Sequence, residues 1–298
     1  MTTQRTTPVI GFSKPSVREL ARIETIRSLR RASIWIGFVL TIASLSITSV
    51  DWSSGSYTEH LPQGFMPIVL GTLIASFRMG RRDAEHDVSE AAPIDIDQRT
   101  LARLYSIAVP TALTMVLVVG LAVGSRIEGG FWLGDGVRRT DTALHTPGEL
   151  IQMPLVVALV GVLGIALGRS RPKRAMVGVI VAGALVFTMF PGYWIWNIPP
   201  AHVVAPVQKQ PLYIDLEPGT TIEATPADWF VDEPNSGEVP VRELVHQPTA
   251  LAHDVYLLGL IVLVAGFALR GRRGRWAKLG GAALAVGGVL IQLLVSPL

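Results

Sequence analysis

The sequence predicts an all-α polytopic membrane protein, with about seven transmembrane helices, an N-terminal interfacial helix and a small external cap holding a candidate β-hairpin. Three observations carry this expectation. Of 298 residues, 49% are hydrophobic and only 16% charged, and the mean hydropathy is +0.43, a composition outside the soluble globular range. Seven apolar runs approach the roughly 20 residues a helix needs to cross about 30 Å of hydrocarbon, where only internal hydrogen bonds satisfy the backbone. Finally, 21 of the 26 Lys and Arg fall in segments 1–31, 78–103, 169–174 and 270–278, which hold only 8 of the 23 carboxylates. Those segments alternate with the runs as cytoplasmic loops would, as the positive-inside rule requires. The net charge of +3 is then about +13 inside and −10 outside. The basic balance thus reports topology, and nucleic acid is not an expected partner.

The leader, 1–31, ends in "PSVRELARIETIRSLRRASIW", which reads as a helix lying on the cytoplasmic membrane surface and turning into the first span. Its apolar residues Val17, Leu20, Ile23, Ile26 and Leu29 recur every three positions and so drift around the helix. Its arginines suit anionic headgroups, or are ordinary flanking charge. The remainder, 32–298, is the transmembrane domain, with spans near 34–50, 61–77, 104–123, 150–167, 175–196, 251–269 and 276–295. The first is read as a retained span because no small-x-small cleavage site precedes Asp51. The second is broken near its start by Pro62, Gly64 and Pro67, and the sixth begins with His253 and Asp254. An odd number of spans puts the N-terminus in the cytoplasm and the C-terminus outside.

The largest aqueous segment, 197–249, is external and rich in proline and carboxylates. In "YIDLEPGTTIEA", Ile214 and Leu216, then Ile222 and Ala224, alternate with polar residues on either side of Pro218–Gly219, the pattern of a hairpin. Small residues at helical spacing, Gly120 with Gly124, Gly164 with Gly168, and Gly280, Gly281, Gly287 and Gly288, permit close helix packing. Packing within one bundle is the simpler reading and a dimer seam the other.

Chemistry of its own is absent from the sequence. There is no cysteine, hence no disulfide, thiolate nucleophile or cysteine metal site. Five of the six histidines, His60, His145, His202, His246 and His253, fall outside among carboxylates, yet no HExxH, paired-histidine spacing or GxSxG occurs. No catalytic residue, metal ligand or cofactor-binding residue is assigned. Ionisable groups that would drive a carrier are missing from the middle of the runs; Glu149, His253 and Asp254 sit at outer ends, and only Gln152 and Gln292 lie further in. "GIALGRS", Gly164–Ser170, lacks the lysine of a phosphate-binding loop. If nucleotide energy is used, another chain binds the nucleotide.

The cytoplasmic loop 78–103 is the most charged stretch. On a helix, "RDAEHDVSEAA" sorts into an apolar edge, Ala84, Val88 and Ala91, beside an acidic edge, Asp83, Asp87 and Glu90. The acidic edge repels itself, a cost that a basic partner surface would remove. Pro93 ends this helix, and "DIDQRTLARL" restarts one, with Asp95 and Gln98 spaced as a capping box. A solvated tether is the competing reading.

The order of features resembles the membrane subunits of type 2 ABC exporters, particularly those of high-GC Gram-positive bacteria. The features are the basic interfacial helix, two spans, the loop leading to "RTLARL", "TPGELIQMPLVVALVGVLGIALGR", a long outer segment and "HDVYLLGLIVLVAGFALRGRR". The nearest matches are "ELIQMPLVVALVGVLGIALGR" from Glu149 and "AHDVYLLGL" from Ala252. The resemblance covers most of the chain but consists of hydrophobic patterns, and such permeases usually have six spans, so a seventh is a departure. It implies a permease in the bacterial cytoplasmic membrane. The partners it implies are a separate ATP-binding cassette subunit (ATPase), membrane lipid, and a second copy or second permease. By position, the helix docking on the ATPase would be Asp83, Asp87, Val88, Glu90 and Ala91. Two other classes compete: a non-transporting scaffold or sensor whose external cap binds a partner or ligand, and a membrane enzyme using the external histidines.

Overall fold

The computed structural model describes residues 17–50, 64–85, 95–127, 131–133, 140–143, 146–170, 203–204, 212–215, 241–244 and 247–295. Helix α1 (Val17–Leu29) meets α2 (Ala32–Val50) at an elbow of 54°, bridged by the Trp35 indole N–H, which donates to the Leu29 carbonyl at 2.6 Å. That carbonyl is one of those a helix end leaves open. α1 is inside-out: Ile23, Ile26 and Leu29 are exposed while Glu24 and Ser28 are buried. Three of the drifting apolar residues therefore face away from the protein, and the polar side packs on α4 (Ile96–Ser106).

The second predicted span appears as α3 (Met66–Glu85), displaced toward the charged loop. Pro67 sits in the first turn, where its missing N–H costs nothing, and the open N–H of Ile68 donates to Thr41 Oγ1 of α2 at 3.0 Å. α2 and α3 run antiparallel and touch through Gly37 and Gly71, where an added Cβ would strike the Pro67 and Ser33 carbonyls. The third predicted span is a helical stretch from Ile96 to Ile127 divided at Ile107 into α4 and α5 (Ala108–Ile127). Pro110 explains the division, because it cannot donate to the Ser106 carbonyl four residues back.

Helix α6 (Pro147–Arg169) begins at Thr146, whose Oγ1 accepts the Glu149 N–H at 3.3 Å. It is the central element. Met153, Val156, Val157 and Val160 fill the core with Phe65, Ile68 and Leu73 of the α3 segment and Leu257 of α7 (Gln247–Ala268). α3 and α6 run side by side in the same direction, since Gly161 meets Thr72 and Gly168 meets the Phe77–Arg81 backbone. α7 and α8 (Gly271–Val295) form an antiparallel pair joined at Gly271, whose φ of +61° lies where a side chain is strained. Gly259 against Ala285, Leu263 against Gly281 and Tyr256 against Gly288 let these backbones meet.

Two short ladders complete the described chain. β1 (Phe131–Leu133) pairs with β2 (Thr140–Ala143), a pair the sequence reading did not anticipate. β3 (Leu212–Asp215) pairs antiparallel with β4 (Val241–Leu244), in register Leu212 to Leu244. The expected hairpin across Pro218–Gly219 is thus not what pairs β3 among the described residues. β3 takes its partner from the far end of the 197–249 segment, just before α7, in a long-range ladder. Residues 216–240 lie outside the described ones.

Among the described residues, four helical segments are long and apolar enough to cross a membrane: Ile96–Ile127, Pro147–Arg169, Gln247–Ala268 and Gly271–Val295. The bent α1–α2 pair would make a fifth. α3 is not among them, because Arg78, Arg81, Arg82 and Asp83 fill its last turns. The run 175–196 lies outside the described residues.

Candidate functional site at the charged end of the bundle

The residues expected to dock on a partner are only partly within view. Asp83 belongs to the last turn of α3, which runs on to Glu85. Asp87, Val88, Glu90 and Ala91 lie outside the described residues. After the loop, Asp95 takes the N-cap position of α4, but its side chain makes no capping hydrogen bond. The predicted capping box is therefore not formed. The carboxylate that works here is Asp97, two residues on. Its two oxygens accept the Arg270 N–H at 3.1 and 3.3 Å, and Oδ1 lies 3.6 Å from Arg169 Nη2. One acid thus ties α4 to the end of α6 and to the start of α8, where negative charge is favoured at a helix N-terminus.

A second polar junction joins α1 to α3 and α4. The buried Glu24 accepts from Arg82 at 2.6 Å and from Arg27 at 2.9 Å. Arg31, at the α1–α2 elbow, is held below the ordinary arginine value by burial, then by Arg82 and more weakly by Arg78 and Arg103, with Glu24 opposing. Arg103 itself is buried. Arg31 Nε is buried without a hydrogen-bond partner, and among the described residues neither Arg31 nor Arg78 enters an ion pair. Arginine keeps its charge near neutral pH, so among the described residues Arg31 lies among like charges, with Glu24 as the opposing one. Sequence separation hides it: Glu24 and Arg82 are 58 residues apart. The only signal in the sequence was Glu24 among the arginines of α1, a helix that also carries Glu19.

The opposite end of the bundle carries a buried polar group that sequence reasoning treated as separate residues. His253 Nδ1 lies 3.1 Å from Gln292 Oε1, and Gln292 Nε2 donates to the carbonyls of Val203 and Gly288, each at 3.3 Å. The Tyr256 hydroxyl donates to the Val204 carbonyl at 2.9 Å, so α7 and α8 jointly hold the short 203–204 segment. Both oxygens of Asp254 are buried without a hydrogen-bond partner. At that end His253 and Asp254 are buried among the helices. His253 is the one histidine among the described residues, and no three His, Cys, Asp or Glu gather there into a metal-binding group. The other external histidines lie outside the described residues.

Comparison with protein families, curated proteins and solved structures finds no match for the chain. The fold itself defines the class: an all-α chain whose four long apolar helices fit a multi-pass membrane protein, with polar side chains such as Gln152, Thr114 and Gln292 turned inward and apolar ones such as Val116, Leu279 and Leu294 outward.

Proposed function

We propose that this chain is the permease subunit of an ATP-driven ABC transporter of the exporter type, powered by a separate ATPase subunit. In this reading it spans the bacterial cytoplasmic membrane seven times, N-terminus inside and C-terminus outside, and works as a homodimer or with a second permease. The chain carries no nucleotide chemistry. ATP binding closes the partner's nucleotide domains, and the loop after α3 passes that motion to the helices as a rigid-body rearrangement.

The observation that best supports this reading is the attachment of both ends of the charged loop to the bundle. On one side Asp83 lies in the last turn of α3, which packs along the central α6. On the other, Asp97 of α4 is bound to Arg270 and close to Arg169. A force on residues 83–91 would be felt by α3, α6 and α8 together, which a slack tether would not achieve.

The test reverses the acidic edge. Asp83→Lys, Asp87→Lys and Glu90→Lys together place like charges against a basic groove, which costs several kcal/mol, with about tenfold in affinity for each 1.4 kcal/mol. The ATPase should no longer copurify in detergent, and transport-linked ATP hydrolysis should fall, while the fold survives. Val88→Asp should act alike by placing a charge in the apolar edge. A triple variant that keeps its ATPase and its activity would leave the loop as a tether and favour the scaffold or sensor reading.

A further inference from the structure

At the end opposite the charged loop, α7 carries a carboxylate that the proposed coupling does not use. Asp254 is 7% exposed, and neither of its oxygens accepts a hydrogen bond. The helices packed on α7, α6 and α8, bring nothing to answer its charge. The one titratable residue of α6 at this end is another acid, Glu149. α8 brings the neutral Gln292, which is taken by His253 and two carbonyls, while its arginines and Lys278 lie in its first turns, at the other end. On α7 itself the titratable neighbours are His253 and Tyr256, whose Nδ1 and hydroxyl face Gln292 and the Val204 carbonyl. Among the described residues, then, Asp254 meets neither a donor nor a counter-charge. A carboxylate ion taken out of water with no partner is strongly disfavoured, and an ionisable group kept inside a span points to a ligand. The surroundings bound what that ligand is. Both oxygens are sealed, so it is small, and no three His, Cys, Asp or Glu gather among the described residues to complete a site for a multivalent metal, so it carries a single positive charge.

We propose that the Asp254 carboxylate is the seat of one small monovalent cation, a proton or an alkali ion, taken up from the end of the bundle read as external. The two share the chemistry of one positive charge on a carboxylate oxygen and differ in what the solution must supply. Because both oxygens are sealed, the cation enters and leaves only as this end opens, and its binding favours the closed packing of α7 on α6 and α8. This rests on the packing of those helices and on nothing about an ATPase.

The experiment melts the full-length protein in detergent, wild type beside D254N, first over a range of pH at constant salt and then at constant pH in sodium, potassium or choline chloride. A ligand held only by the folded chain raises the folding constant by up to about tenfold for each tenfold rise in its free concentration. The wild type should gain on D254N by up to that factor in one of two ways. A gain as the pH falls, alike in every salt, identifies a proton; a gain as sodium or potassium replaces choline identifies an alkali ion. Glu149, His253 and Tyr256 titrate in both proteins, so their contribution drops out of the difference. A difference that stays constant through both series, or that moves against the wild type as the cation is added, would overturn the proposal. D254L is the second neutral replacement, since a side chain without partners can be exchanged for an apolar one. If neither variant folds, the carboxylate is a structural contact and the proposal fails on that ground. No ATPase is present, so failure here leaves the proposed transport function untouched.

Discussion

Glycines separate what spacing implies from what packing uses. Gly280 and Gly281 are adjacent and equivalent in the sequence, yet an added Cβ at Gly281 would overlap the Leu263 backbone, whereas at Gly280 it meets nothing within 4 Å. The same split divides Gly288, against Tyr256, from Gly287, and divides Gly164 and Gly168, against α3, from Gly120 and Gly124, which face open space. Gly281→Leu should therefore cost at least the roughly 1–3 kcal/mol of an overpacked core, because backbone is what must move. Gly280→Leu should be neutral or stabilising by up to about 1 kcal/mol through helix propensity. Melting of the purified protein in detergent checks both, and equal effects would contradict the α7–α8 packing. Gln292 is a second residue whose role only its neighbours define. Gln292→Leu removes the partner of the His253 ring and of two carbonyls, and should lower stability by about 1–3 kcal/mol in the same assay.

At the scale of elements, the apolar runs foretold where helices are, and prolines explain how they are cut. Pro67 starts α3 and Pro110 separates α4 from α5. The sequence reading restarted helix at "DIDQRTLARL" ahead of the span 104–123, and helix does run from Ile96 to Ile127, because backbone hydrogen bonding does not stop where hydropathy does. α1 shows the opposite limit. Its apolar residues were legible, but whether they face the protein or away from it depends on what α4 offers, and α4 offers Arg103 and Ser106, both buried. The element that gathers the charged end is α4, through Asp97. Asp97→Ala would strip the acceptor from the Arg270 backbone N–H and the counter-charge from Arg169, and the Asp97 and Arg169 side chains are largely buried. It should cost about 1–3 kcal/mol, and with Arg169→Ala the losses should fall short of additive. Fully additive losses would mean that the 3.6 Å approach of Asp97 and Arg169 carries no energy.

For the whole molecule, the ends of the bundle agree with the distribution of charge. Arg31, Arg82, Arg103, Arg169 and Arg270 collect at one end, and His253, Gln292 and Val203 at the other. The proposed orientation has a direct check, since the chain has no native cysteine. Single cysteines at Ser54, Ser236 or Ser296 should react with an impermeant thiol reagent on intact cells, and cysteines at Ser89 or Ser170 should not. External labelling of Ser89→Cys would reverse the orientation and remove the cytoplasmic coupling loop.

The sequence by itself determined that the chain is helical and membrane-like, and which flanks are basic, because hydropathy and charge are sums over neighbouring residues and need no knowledge of the chain's path. The same local reasoning did not find the partner of β3, which lies beyond residues 216–240, and failed at Asp95, which holds the cap position without the cap; that His253 and Asp254 are buried it could not say. Only the tertiary structure decided that Glu24 meets Arg82, that Asp97 meets Arg270, and that Gly281 rather than Gly280 is a contact. Each of these depends on two distant segments arriving within a few ångströms, and short-range directional contacts of that kind are specified by the packed arrangement of helices, not by the composition of either one.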